Sequence, residues 1–342
     1  MSRPAGFAYS MRLTREDGTE LAQRAVRPDW GPALEWARLL ALRGGRASTE
    51  AFVAECDVEP VWDEDRGKPW VAGVRVSAPG PGCRVDELPL EYFAGAAVKI
   101  ATGLVEEGAL QDGERYRYFP LAFPLGDPTP TPAPLARVAP PRISVRDAAL
   151  PPEFASQARG REEPAPDLPV LLPRRVLDQA TGLTIAARGR ETGGILIGHL
   201  CRDRGRGEVF AEITAQVPAA HTEASAAKLT FTAATWDGVQ AAIDLRRRDE
   251  IMLGWWHSHP VVEWCKDCAP EKRRVCLFRR GFLSVDDIAL HRAVFPRAYS
   301  VALLMNDVGD EPPAATLFGW RRGLVEERTF HPITETAHAA VR

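Results

Sequence analysis

The chain has 342 residues, 45% of them hydrophobic and 26% charged, an ordinary globular composition with room for two domains. A net charge of -3 supplies no basic field for a phosphate backbone, so nucleic-acid binding lacks electrostatic support, and no apolar run is long enough to cross a bilayer. Six cysteines are too few for a disulfide scaffold in a chain of this length, and three of them crowd into one short segment, where metal or redox chemistry is the better reading.

Arginine strongly outnumbers lysine among the 43 basic residues, which reads as the codon bias of a high-GC, bacterial genome. The opening Met1-Ser2-Arg3-Pro4-Ala5-Gly6 lacks the continuous apolar core of a signal peptide, so a cytoplasmic location is expected.

Residues 1–123 read as a compact α+β domain. A strand passes through Met11 and Leu13, and residues 34–42 carry apolar side chains at helical intervals before a stop at Gly44-Gly45. Val61-Trp62 and Trp70-Val71 flank a polar turn and predict a hairpin. A second helix shows Phe93, Ala97, Ile100 and Leu104 on one face and ends near Gly108, ahead of an aromatic strand through Tyr116, Tyr118 and Phe119. This half contains no catalytic constellation; Cys56 and Cys83 read as buried structural thiols. A partner-binding accessory domain is expected by analogy, with an inert scaffold as the alternative.

From 124 to 169 the composition shifts to proline, as in Asp127-Pro128-Thr129-Pro130-Thr131-Pro132-Ala133-Pro134, which predicts an extended linker between domains. The second domain, 170–330, opens with a helix through Val176, Leu177, Ala180, Leu183 and Ala187. Strands are expected at 208–217 and 228–232, then a helix through Trp236, Val239 and Ile243. After Ser284 come a helix closed by Pro296 and two strands, 300–305 and 316–320. Strands interleaved with helices describe an α/β sheet packed by helices. Residues 331–342 read as a flexible tail.

Ile251-Met252-Leu253 reads as a buried strand running into Gly254-Trp255-Trp256-His257-Ser258-His259-Pro260. Residues i and i+2 of a strand share a face, so both imidazoles can reach one metal ion. By itself the spacing also fits two polar residues at a strand end. Upstream, Glu191-Thr192-Gly193-Gly194-Ile195-Leu196 places a carboxylate at the mouth of an apolar strand; downstream, Ser284-Val285-Asp286-Asp287 opens a helix. Alone, the first is an ordinary strand entrance and the second a capping box, although a capped helix is also a rigid way to present Asp287.

In combination and in this order, Glu, His-x-His-Pro and Ser-x-x-Asp resemble the JAMM (MPN-plus) zinc metallopeptidase family over roughly residues 170–330, about half the chain. The resemblance implies an MPN-type curled β-sheet flanked by helices, with His257, His259 and Asp287 as ligands of a catalytic zinc that keeps one position for water. It implies Glu191 as general base and Ser284 as hydrogen-bond donor to the oxyanion, with Asp286 one position out of place. The reaction implied is hydrolysis after the C-terminal glycine of a ubiquitin-like protein or its conjugates, with activating and conjugating enzymes of the same pathway as further partners. The alternatives are a non-catalytic MPN scaffold, which predicts missing ligands where none is missing, and a RadC-like protein sharing the zinc motif. A zinc deaminase is weaker still, because no His-x-Glu precedes the Cys-x-x-Cys pair.

The family usually has only a short run between the second histidine and Ser-x-x-Asp; here residues 261–283 intervene and, since all the ligands are retained, are expected to form a lid over the substrate channel. The alternative is that they disturb the placement of Ser284 and Asp287. Cys265, Cys268 and Cys276 within this insert offer three thiolate ligands for a second, structural zinc, with Cys201 or His199 as candidates for the fourth. Unligated thiols are the plain alternative. A thioredoxin-like redox pair is less fitting, since the motif sits inside a loop. His199, His221, His291, His331 and His338 read as solvated or locally hydrogen-bonded, and Trp255 and Trp256 as sheet packing.

Overall fold

The structure is a computed structural model and describes residues 6–43, 57–77, 85–125, 144–151, 167–219, 222–224, 229–269, 271–272, 275–309 and 312–334. The chain divides into two compact units, Met1–Pro141 with Arg322–Leu324, and Arg142–Arg321 with Val325–Arg342.

The first unit contains β1 (Phe7–Arg15), β2 (Glu20–Val26), the helix Gly31–Arg43, β3 (Asp57–Trp62), β4 (Val71–Ser77), β5 (Val85–Pro89), the helix Ala94–Glu106 and β6 (Tyr116–Pro124). Two antiparallel three-stranded sheets result, ordered β2-β1-β6 and β3-β4-β5. The expected hairpin is the β3–β4 pair, with Trp62 opposite Val71. Met11, Leu13, Val74 and Leu88 are fully or almost fully buried, as alternating apolar positions on strands require.

The second unit opens with β7 (Val145–Asp147) and β8 (Val170–Pro173), followed by the helix Arg174–Ala186, β9 (Gly193–Asp203) and β10 (Glu208–Pro218). A small hairpin, β11 (Thr222–Ala224) with β12 (Leu229–Phe231), precedes the helix Ala233–Arg246 and β13 (Ile251–Pro260). The short helix Val261–Trp264, a 3-10 turn at Leu277–Arg279 and the helix Val285–Val294 lead to β14 (Val301–Asp307), β15 (Ala314–Arg321), β16 (Leu324–Arg328) and β17 (His331–Ile333).

Nine strands form one curled mixed sheet in the order β16-β15-β14-β13-β9-β10-β8-β17, with β7 beside β9. The strand β9 divides one edge between two partners: β13 along 193–198 and β7 along 200–202. It is buried along almost its whole length, which accounts for its near-continuous apolar run. One face of the sheet carries Ile195, Ile197, Trp255, Ala302, Leu304 and Phe318, covered by Val239 and Phe295 from the helical layer. Each fully buried Ile or Leu side chain among them, Ile195, Ile197 and Leu304, contributes about 1.5–3 kcal/mol. At Gly254 the neighbouring strand comes so close that a Cβ would lie 1.9 Å from the Val301 carbonyl oxygen.

Three differences from the sequence reading have physical causes. Within the expected linker, Val145–Asp147 pairs in parallel with β9, and Leu150 packs on Leu171, Cys201 and Phe210, so part of the proline-rich stretch belongs to the second unit. The tail is not wholly loose: His331–Ile333 pairs in parallel with β8 and all three residues are buried. The strands β2 and β5 carry too many polar residues to announce themselves by alternation. Gly44-Gly45, Cys56, Cys83, the Pro128–Pro134 run, His221 and residues 335–342 lie outside the described residues. No helix of the described residues is long and apolar enough to cross a membrane.

Candidate metal centre

The site grows out of the end of β13. Trp255, His257 and His259 alternate onto one face, so the packed core passes directly into the two imidazoles: the Trp255 ring stacks on His257 at 4.5 Å with 12° between planes. On its far side the Trp255 indole N–H donates to Nδ1 of His291, 3.2 Å away and fully buried. His291 is thereby held neutral; burial, with the Arg328 charge, pushes its pKa down to about 3.

Ladder bonds hold the backbone of β13 on both sides, to β9 and, in parallel, to β14. A latch extends the β9 side: Ser258 N–H donates to the Thr192 carbonyl at 2.8 Å, and Thr192 N–H donates back to the Ser258 hydroxyl at 3.0 Å. On the other side Asn306 lies across from His259.

Asp287 arrives from the helix Val285–Val294, and its placement is a capping matter. The Ser284 hydroxyl accepts from Asp287 N–H at 3.1 Å, while Ser284 N–H donates to the Asp287 carboxylate at 2.7 Å. The two carboxylate oxygens then lie 3.4 Å from His257 Nε2 and 3.5 Å from His259 Nε2. The two Nε2 atoms are 3.0 Å apart.

Those separations suit a metal. Ligand atoms at about 2.0–2.1 Å from a tetrahedral zinc stand about 3.3–3.4 Å from one another, and the three observed spacings bracket that value. Among the described residues, His257, His259 and Asp287 are the group of three whose ligand atoms all lie within 4.8 Å of one another. Burial alone would raise the Asp287 pKa, but hydrogen bonds from His257, His259 and Ser284 outweigh it and keep the carboxylate ionised. Burial holds His259 below its ordinary pKa against the opposing pull of Asp287, so a neutral imidazole is available as a ligand. The Nδ1 atoms of both imidazoles are buried without a hydrogen-bond partner, a departure from the usual arrangement in which the second ring nitrogen of a ligand is tied down.

Glu191 stands beside this group. His257 pairs with Gly193 and Ser258 bonds Thr192, so the same register carried one residue further sets Glu191 across from His259. It is buried, and burial together with the Asp287 charge pushes its pKa up to about 7.

The insert covers His259 with aromatic rings. Trp264 and Phe282 lie 4.9 and 5.0 Å from the imidazole, and Phe278 packs on both of them at 5.7 and 5.6 Å. The side-chain amide of buried Asn306 donates to the carbonyls of Phe278 and Arg279 at 3.2 and 2.9 Å, tying the insert's return to the sheet. Cys265 and Cys276 place their sulfurs 3.5 Å apart, and Cys268 also lies within hydrogen-bonding reach of Cys265. Neither expected fourth ligand joins them. Cys201 is in a core cluster with Leu171 and Phe210, and His199 lies against Arg146.

Sequence reasoning therefore placed the five residues Glu191, His257, His259, Ser284 and Asp287 that converge here. It missed Ser258, Asn306 and the Trp255–His291 pair; His291, read as solvated or locally bonded, is fully buried. Only the i+1 spacing of Ser258 between the two histidines could have flagged the latch.

No family model and no curated protein matches the chain. Among solved structures, the solution structure of protein DSY2949 from Desulfitobacterium hafniense is similar over 50% of this chain and 99% of that chain, at 18% identity and a TM-score of 0.34, which is too loose to carry an argument.

Proposed function

We propose that the second unit is a zinc-dependent (iso)peptidase with an MPN-type sheet, cleaving after the C-terminal glycine of a ubiquitin-like protein, and that the first unit is its accessory domain. The observation that supports this reading is the meeting of His257, His259 and Asp287 at metal-ligand spacing with Glu191 beside them, from three separate stretches of chain. Bound zinc would supply a Lewis acid for the carbonyl and lower the pKa of water from about 15.7 toward about 7.

Each residue has a task set by its position. His257, His259 and Asp287 hold the ion, and the capped helix keeps Asp287 aimed at the two imidazoles. Glu191 takes a proton from the attacking water and returns it to the leaving amine, a role worth roughly 10²–10⁴ in rate. The Ser284 oxygen accepts from Asp287 N–H, which leaves its own O–H to donate to the oxyanion. Trp264, Phe278 and Phe282 wall the His259 side with apolar surface. The partners of this reading are the ubiquitin-like protein and the enzymes that activate and conjugate it.

The test is cleavage of a panel of ubiquitin-like proteins carrying C-terminal extensions, with and without a zinc chelator. Chelator-sensitive cleavage after the terminal glycine is expected, falling roughly 10²–10⁴-fold in Glu191→Ala while zinc content stays at the wild-type level. A zinc-loaded protein that cleaves no member of the panel would favour a partner-binding scaffold instead.

A further inference from the structure

The insert contains more chemistry than the proposed hydrolysis uses. Cys265 closes the helix Val261–Trp264, Cys268 follows one turn later with its N–H on the Cys265 carbonyl at 3.0 Å, and Cys276 immediately precedes the turn Leu277–Arg279. Two strands of a loop thus return to one point. None of the three is in a disulfide, and Cys265, which is buried, lies within reach of both others.

We propose that Cys265, Cys268 and Cys276 bind a second zinc ion as thiolates, and that this ion, together with the aromatic contacts on His259, holds the insert folded. The inference stands independently of the peptidase reading. Three arguments carry it. A disulfide needs its sulfurs at about 2.05 Å, whereas two thiolates on a tetrahedral zinc at about 2.3 Å stand about 3.8 Å apart; the observed 3.5 Å lies close to the second value. Soft thiolate ligands in a Cys-x-x-Cys turn plus a distant third cysteine select zinc among the common divalent ions. Among the described residues the insert has little apolar interior beyond the rings on His259: Val275 and Leu277 are 78% and 77% exposed, and Val261 and Cys265 are its buried side chains. The three sulfurs do not all lie within 4.8 Å of one another, so binding must draw Cys268 and Cys276 together, and a fourth ligand completes the tetrahedron. The three thiols give up their protons on binding.

The consequence reaches the first metal centre through the chain itself. Trp264 is bonded to Cys265 and Phe278 lies two residues beyond Cys276, so the ion would fix both ends of the aromatic wall on His259.

Zinc measured in the purified full-length protein should include one equivalent per chain at the cysteines, whatever the histidine site holds. A thiol-specific mercurial should release one, and Cys265→Ser and Cys276→Ser should each contain one fewer. Cobalt exchanged into a protein carrying both His257→Ala and His259→Ala should still show a thiolate-to-cobalt charge-transfer band, which separates this site from the histidine site. Mercurial treatment of the wild type, which requires no folded variant, should also open the insert to trypsin. The proposal is overturned by a single zinc that mercurial does not release, by absence of the charge-transfer band, or by a Cys265–Cys276 disulfide found by mass in the purified protein.

Discussion

The end of β13 and the insert that follows it are neighbours in the chain and are held in opposite ways. His257 and His259 sit on a strand with ladder bonds on both sides, the Ser258–Thr192 latch, and Trp255 packed beneath them. The described residues of 261–283 include a four-residue helix and a 3-10 turn, with two bonds from Asn306 and ring contacts to His259. The placement of the two imidazoles is therefore a property of the sheet. The cover over the site is fixed by a handful of contacts, and local opening of such a segment costs far less than global unfolding.

The contrast can be broken most severely at Gly254. In Gly254→Val the new side chain would meet backbone at 1.9 Å, which no rotamer relieves, and the second unit should lose more than about 4 kcal/mol or fail to fold. Circular dichroism of the purified variant reads this out; a native melting curve would show that β13 and β14 are not so closely joined.

Acid attacks the sheet side next. The folded pKa of His291 lies near 3, below its ordinary 6.5, so the unfolded chain binds the proton more readily. Stability from this group is present above pH 6.5, falls as pH drops from 6.5 toward 3, and levels off below; its size is on the order of a few kcal/mol. Denaturant melts across that window should flatten in His291→Phe, and an unaltered slope would remove His291 as the cause.

A smaller loss is expected from Ser258→Ala, which leaves the buried side of the Thr192 N–H without its acceptor at a cost of about 1–3 kcal/mol. Thermal melts measure it, and zinc affinity should fall with it because Glu191 and His259 lose their shared anchor. Asn306→Ala should cost least in global stability, about 1 kcal/mol, yet it should most increase trypsin cleavage at Arg279 and Arg280. Equal protection of the insert in the variant and wild type would mean that the aromatic contacts alone hold it.

The candidate site residues were legible because a metal site of this kind demands particular residue types in a particular chain order, and because period-two alternation on β13 puts both imidazoles on one face. The helices over 31–43, 94–106, 174–186, 233–246 and 285–294 followed from apolar spacing and, for the last, from the Ser284 cap. What stayed hidden depends on partners far away in sequence. Val145–Asp147 is a strand only because the outer half of β9 has an open edge for it, and His331–Ile333 only because β8 does. Asn306 looks like any polar residue near a strand end until its pairing with His259 is seen. His291 sits in an ordinary helical pattern, and nothing local distinguishes a solvated histidine from one pressed between Trp255, Phe295 and Trp320.

The strands β13 and β14 run in parallel, so the chain must travel from the end of one back to the start of the other, and the insert with the helix Val285–Val294 makes that journey. Both ends of the insert are pinned, at Pro260 on the sheet and at the Ser284 cap. Between two fixed points, doubling the length of a loop costs only about 0.6 kcal/mol in closure entropy. The segment 261–283 is consequently a graft point: its sequence and length can be exchanged while His257 and His259 keep their alignment on the sheet.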